Sequence, residues 1–290
     1  MSIPNRAMFY WRGGCLSWMR YNTLWSFRKL HPDWEMTLFY GGPAPGNPNQ
    51  RWEDTQDWLG SPDLGHDYLP EVAALGVEIK AWRPPAGYPN SEPSHENDIC
   101  RWGALSQFGG WFFDLDILFV DKMEKLEVDD RADVAFIPAR DWIPTGFMGA
   151  VKGNQFTAAM YDCALSAPDK TRYRACGAEA IARAINLPAA AAGWGQHTRT
   201  ELTRNMRAAF PGISWQFISQ AACYRWEWFD AAQIFSGDGG VLSSTIAIHW
   251  YGNQRVAQRA QRKLTAENYS AHAMPYTEYA KNLAEADLIV

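Results

Sequence analysis

An α/β fold built on one central sheet is what this sequence predicts, and three observations predict it. Short apolar runs alternate with stretches of helical spacing, no internal repeat interrupts them, and no linker separates two halves of the 290 residues. At about 100–250 residues per domain, that length suits one large α/β unit able to bury its own core. The expected organisation is a single domain over residues 1–290, with a loop insertion at 43–70 and a helical excursion at 154–210.

Met8-Phe9-Tyr10-Trp11 reads as the first strand, broken by Gly13-Gly14. Ser17 to Leu30 has helical spacing, with Trp18 and Trp25 seven apart on one face, and Pro32-Asp33 ends it. Met36–Tyr40 reads as a second strand closed by Gly41-Gly42, completing a strand–helix–strand opening of the crossover type. The insertion that follows is rich in Gly, Pro, Asn and Asp, with a short helix expected around Trp52–Leu59. Val77–Trp82 alternates like a strand, and Ser94 is expected to cap a helix running to about Phe108. Asn97 and Asp98 fall in its first turn and Gly109-Gly110 stops it. Trp111–Val120 reads as one apolar strand interrupted by two carboxylates. Further strands are expected at 133–138, 145–151, 213–219 and 245–251, and helices at 154–167, 175–186, 198–209, 254–264 and 275–286.

Composition excludes several functions. With 27 Lys+Arg against 32 Asp+Glu and no basic run, the chain lacks the face that binds nucleic-acid phosphates, so no nucleic-acid partner is expected. The five cysteines, at 15, 100, 163, 176 and 223, form no C-x-x-C pair and read as reduced thiols of a cytosolic protein. A charge at Arg6 and the lack of a long apolar run argue against a secretory signal, and no stretch approaches the roughly 18–20 apolar residues of a membrane span. The expectation is a cytoplasmic protein, soluble or peripherally membrane-associated. The fifteen tryptophans could serve sugars or bases, but most are expected in the core.

The chemistry concentrates at Asp114 and Asp116, two apart on a strand or its frayed end, so that both leave the same face. Burying two like charges in an apolar strand is costly unless a cation lies between them. A hard divalent ion, Mn²⁺ or Mg²⁺, with oxygen ligands and a substrate diphosphate resolves that cost. The alternative is a solvated strand end, against which Phe112-Phe113 and Ile117–Phe119 leave no obvious polar stretch. On the preceding helix, Asp98 and Arg101 form an i,i+3 pair that could equally be a surface ion pair of little worth. His249, in an apolar strand, reads as a satisfied core residue or a metal ligand, and Asn253 beyond it as a weaker candidate for phosphate or metal contact. His31, His66, His95, His197 and His272 read as loop or helix-edge residues without a role.

The stretch Asp98-Ile-Cys-Arg101-Trp-Gly-Ala-Leu-Ser-Gln-Phe-Gly-Gly110-Trp-Phe-Phe-Asp114-Leu-Asp116 resembles the signature of the DXD sugar transferases of glycosyltransferase family 32. The sixteen-residue step from Asp98 to Asp114 is also similar to that of the large glucosylating bacterial toxins. Phe9-Tyr-Trp11-Arg-Gly-Gly14 and Leu30-His-Pro-Asp33 resemble the family's opening strand, glycine turn and helix end, and Thr145–Val151 and Ile246–Trp250 its later strands. The resemblance implies a GT-A fold, a nucleotide-sugar donor (UDP- rather than GDP-sugar), a divalent cation, and hexose transfer with retention to a glycan or other hydroxyl acceptor. It further implies that Asp116 binds the metal directly and that Asp114 meets the ribose or donor sugar and the metal through water. Asp98 and Arg101 would hold sugar hydroxyls and the diphosphate side, Trp11 would lie beside the base, and His249 would complete the metal or phosphate shell. Synthesis of a surface polysaccharide of bacterial or phage type is the process this suggests.

Two rival readings remain at the level of sequence. A haloacid-type phosphatase also ends an apolar strand in Asp-x-Asp, and Ser236-Gly-Asp238-Gly could mimic its late acidic loop, although Ile117-Leu118 stands where Gly-Thr would be expected. A Trp-rich carbohydrate-binding module would use exposed aromatics but would have no need of Asp98 and Arg101. A glycoside hydrolase fits less well, since its two carboxylates must flank a bond across roughly 5–10 Å.

Overall fold

The computed structural model describes residues 2–42, 66–86, 88, 92–139, 143–169, 172–187, 199–236, 240, 242–272 and 274–285. Nine strands form two sheets: β1 (Arg6–Trp11), β2 (Glu35–Tyr40), β3 (Glu78–Ala81), β4 (Gly110–Phe113), β5 (Ile117–Phe119), β6 (Val134–Phe136), β7 (Phe147–Ala150), β8 (Trp215–Phe217) and β9 (Ala247–His249). The central sheet runs β3-β2-β1-β4-β7-β6-β8, and β5 pairs with β9 in a small sheet of its own. β1 lies parallel to β2 and β4, whereas β7 runs antiparallel between β4 and β6. The α/β class is the one that the alternation of elements predicts, and the central sheet is mixed.

Alternation along the strands sorts side chains into two cores. Ala7, Phe9, Trp111 and Phe113 point to one face, where α1 (Trp18–Leu30) packs with the small sheet. Met8, Tyr10 and Phe112 point to the other, covered by α2 (Pro93–Phe108) and by the helical excursion. That excursion contains α3 (Gln155–Leu165), α4 (Ala178–Ala184) and α5 (Arg199–Ala209). The last part of the chain adds α6 (Ala232–Ser236), α7 (Arg255–Lys263) and α8 (Pro275–Glu285) to the first face. Of the eleven tryptophans among the described residues, six are buried, at 18, 34, 102, 111, 226 and 250. All five cysteines are free thiols, and no helix among the described residues is long and apolar enough to cross a membrane.

Three expectations are corrected. Ser94 is not a cap: α2 begins at Pro93, whose fixed φ and missing N–H suit the first helical position, and Glu92 precedes it without a side-chain cap bond. Asn97 and Asp98 consequently fall in the second turn. Second, Trp111–Val120 is not one strand. The chain leaves the central sheet after Phe113 and enters the small sheet at Ile117, with Leu115 buried between the two aspartates. Third, His31 and His95 are buried rather than peripheral: His31 bridges the Phe27 carbonyl and the Met123 N–H, and His95 meets the Arg172 carbonyl. Residues 43–65 of the insertion expected at 43–70, including the helix expected around Trp52–Leu59, together with His197 and most of the Ser236–Gly239 loop, lie outside the described residues.

The turn from α2 into β4 is made by Gly109 and Gly110, at φ 68° and 112°, backbone conformations that disfavour any side chain. Gly110 also lies so close to the Arg6 backbone that a Cβ would overlap it. This tight reversal lays α2 back along β4, and the start of the helix returns to the strand's carboxyl end.

Candidate active site

The central sheet has its switch of direction between β1 and β4, since the chain leads from β1 to β2 on one side while β4 joins on the other. Crevices at the carboxyl ends of such strands are where open α/β sheets take ligands. Trp11 is the last residue of β1, and Asp114 is the first after β4.

The two aspartates are held by different parts of the fold. The Asp114 N–H donates to the Gly146 carbonyl, at 2.8 Å, and its side chain turns toward α2. Its Oδ1 accepts from Asn97 Nδ2 at 2.8 Å and from Arg101 Nη2. Arg101 Nη1 donates to Asp98 Oδ1, so one fully buried guanidinium joins both carboxylates. Glycine is needed at position 146 because a Cβ there would overlap Asp114 Oδ2. Asp116 lies in the turn that leads into the small sheet. Ile117 stands opposite His249, and the Trp250 N–H donates to the Asp116 carbonyl at 2.9 Å. The Asp116 side chain therefore projects beside His249, with 3.3 Å between its Oδ1 and His249 Nε2, while its Oδ2 accepts from the Gly252 N–H at 2.7 Å.

Electrostatics separates the acids further. Burial raises Asp98, to about 6, against the pull of Arg101 and with the like charge of Asp114 adding to the rise. Asp114 is also buried, but Arg101, His249 and Asn97 together outweigh that penalty and hold it below the usual carboxylate range. A poised acid thus sits next to a firmly ionised one.

Asp114, Asp116 and His249 each offer one ligand atom, all within 4.8 Å of one another. His249 Nδ1 is buried and has no hydrogen-bond partner. Two carboxylate oxygens and one imidazole nitrogen suit a hard divalent cation, and the nitrogen favours Mn²⁺ over Mg²⁺. The residues present therefore fit the metal that the sequence suggests.

All the residues singled out in the sequence fall around this crevice, with different partners. Trp11 is half-buried with its Nε1 enclosed and unpartnered. Asn253 donates from Nδ2 to the Tyr173 hydroxyl at 3.0 Å and thereby links the turn after β9 to the helical excursion. Tyr173 senses the charges of Asp114, Asp98 and Asp116, which puts this link beside the acids. Sequence reading missed Tyr173, Gly146 and Arg20. Arg20 lies in the first turn of α1, with its guanidinium carbon 4.8 Å from the Trp11 ring centroid and 5.6 Å from that of Trp250. Its helical position carried no signal, because only the packing of α1 against the small sheet turns it toward the acids.

The switch-point crevice thus gathers a carboxylate–carboxylate–imidazole triad that could hold a divalent cation, the buried Arg101 and the half-buried Arg20. No family profile matches the chain, and no curated protein matches it. Among solved structures it is similar to the PaToxG glycosyltransferase, with 15% identity and a TM-score of 0.40 over 97% of this chain and 87% of that one. It is likewise similar to the galactosyltransferase LgtC, solved with donor and acceptor sugar analogues, at 10% identity and a TM-score of 0.41 over 96% and 95% of the two chains. The glycosyltransferase GlyE of Streptococcus pneumoniae TIGR4 gives 9% identity and a TM-score of 0.41, over 97% of this chain and 63% of that one. At such identities the functional reading rests on the side chains of this chain.

Proposed function

We propose that this chain is a metal-dependent glycosyltransferase of GT-A fold, one domain that moves a hexose from a nucleoside-diphosphate sugar, UDP-linked in preference to GDP-linked, to a glycan or other hydroxyl acceptor with retention. The observation that carries this reading is the Asp114, Asp116 and His249 triad within 4.8 Å at the carboxyl edge of the sheet, backed by the Asp98–Arg101 pair. Breaking a sugar–phosphate bond develops negative charge on the departing diphosphate, and fixed positive charge at that point lowers the barrier. A divalent cation held by Asp114, Asp116 and His249 supplies such charge when bound.

The side chains divide the remaining work. Gly252 N–H fixes one Asp116 oxygen and leaves the other toward His249, an orientation suited to direct ligation. Asp98, ionised above about pH 6, accepts from donor-sugar hydroxyls. Arg101 locks Asp98 and Asp114 at their working separation. Trp11 borders the nucleotide base with its ring, and Asn253 with Tyr173 borders the diphosphate side. The departing phosphate can accept the acceptor's proton, so no separate strong base is required.

Proton NMR of the protein incubated with UDP- and GDP-hexoses and Mn²⁺ tests the reading. The expected result is Mn²⁺-dependent release of a sugar whose first-formed anomer matches the donor, abolished by EDTA. Phosphate release from a simple phosphomonoester with no turnover of any nucleotide sugar would replace the transferase with the phosphatase.

A further inference from the structure

Arg101 and Arg20 are the two guanidiniums that sense the acid pair, and their bonding differs. Arg101 spends both terminal nitrogens on Asp98 and Asp114, and with 1% exposure its one unpartnered donor, Nε, is enclosed away from an incoming ligand. Arg20 is half-buried and, among the described residues, makes no side-chain hydrogen bond or ion pair; Asp116 and Asp114 pull on its charge from beyond ion-pair distance. It is held by the indoles of Trp11 and Trp250. Stacking engages the face of a guanidinium and leaves its edge, a fork of N–H donors shaped for phosphate, unused. The Nε1 groups of Trp11 and Trp250 are themselves buried and without acceptors. The two indole donors would each carry a desolvation cost unless a ligand satisfies them, and the Arg20 fork beside them still reaches solvent and is open to an incoming anion.

The charge balance indicates what kind of ligand. Asp98, Asp114 and Asp116 against Arg101 and Arg20 leave one excess negative charge, and a divalent cation on the triad reverses the sign. The loaded site then attracts an anion, and Arg20 is the cation with unused donors. Gly252 supports this placement, since a Cβ there would lie 2.9 Å from an Arg20 terminal nitrogen and 3.3 Å from Asp116 Cβ. The same turn thus brings the Arg20 edge alongside the Asp116 ligand.

We infer that Arg20, clamped between Trp11 and Trp250, is the side chain that contacts the terminal phosphate of the donor's diphosphate. The inference rests on the transferase reading for the identity of the ligand, but it assigns the leaving-group contact to Arg20 and leaves Arg101 a positioning role.

The test is calorimetric titration of the wild-type chain, Arg20→Met and Arg20→Lys with UDP, UMP, GDP, GMP and inorganic pyrophosphate, all with Mn²⁺. Methionine keeps bulk between the indoles, and thermal unfolding checks that each variant is folded. A charge-assisted contact of about 1.5–3 kcal/mol corresponds to roughly 10- to 100-fold. Arg20→Met should weaken the nucleoside diphosphate by that factor while the monophosphate changes less than about twofold, and Arg20→Lys should recover part of the loss. If wild type binds a diphosphate and Arg20→Met binds it equally, or loses both phosphate forms equally, Arg20 is not the contact and the transferase reading stands. If wild type binds pyrophosphate but no nucleotide, and Arg20→Met does not, the anion contact stands and the transferase reading falls. No binding of any of the five ligands by wild type overturns both.

Discussion

Asp114 and Asp116 are separated by one residue, yet the half of the site around Asp114 differs in construction from the half around Asp116. The Asp114 half, formed by α2 and β4, is a network in which Asn97, Asp98 and Arg101 bond to one another or to Asp114, with only Arg101 Nε and Asn97 Oδ1 left buried without a partner. It is anchored further back by Glu96, which accepts from the Tyr10 hydroxyl and pairs with Arg12 at the end of β1. The Asp116 half, formed by α1 and β9, holds two indole donors without acceptors, on Trp11 and Trp250, and the unpartnered His249 Nδ1. The first half resembles a scaffold in which one guanidinium ties two carboxylates together. The second is arranged for something that arrives from outside, so stability and binding should respond to different substitutions.

The comparison breaks most sharply at the two arginines. Arg101→Met strands two buried carboxylates and should cost about 3–5 kcal/mol in urea unfolding. Arg20→Met breaks no ion pair and should cost no more than about 1–2 kcal/mol of lost cation–π contact. Equal losses would erase the distinction between the halves. A second difference is in pH. Asp98 has a folded-state pKa, about 6, above its unfolded value, so the native state binds more protons between about pH 4 and 6. In EDTA, native stability should therefore fall as pH rises through that window, by roughly 1–3 kcal/mol, and Asp98→Asn should remove that component. Asp114 acts with the opposite sign. Its depressed value contributes stability at higher pH that is lost only as pH falls below the ordinary carboxylate range.

A finer probe is Gly146→Ala, whose methyl must displace the Asp114 carboxylate. A cost of about 1–3 kcal/mol is expected, with weakened Mn²⁺ binding. Smallest in stability is Asp116→Asn, which should change unfolding by less than about 1 kcal/mol because Gly252 N–H still finds an amide oxygen.

Much of this arrangement was legible in the sequence because it depends on local pattern. The continuous apolar run of β1, the Gly109-Gly110 reversal and the Asp-x-Asp between apolar flanks each mark their structure directly. The division of the two aspartates between sheets left no such mark: Phe113, Leu115 and Ile117 are all apolar, and alternation does not reveal which sheet a residue joins. Ser94 misled for a similar reason, since a capping residue and a proline compete for the same helix start and the proline prevails at its first position. Arg20 was invisible because its meaning lies in Trp250, 230 residues away in the chain. Burial of Asp98 and Arg101 likewise depends on the helical excursion closing over α2, which no i,i+3 spacing can show.

The most direct test of the account is calorimetric titration of UDP and GDP into wild type and Asp116→Asn, each with Mn²⁺ and with EDTA. The account predicts binding of one nucleotide that requires Mn²⁺ and vanishes in the folded variant. Binding that persists in EDTA, or that survives Asp116→Asn at full strength, would contradict a cation-borne diphosphate at this triad.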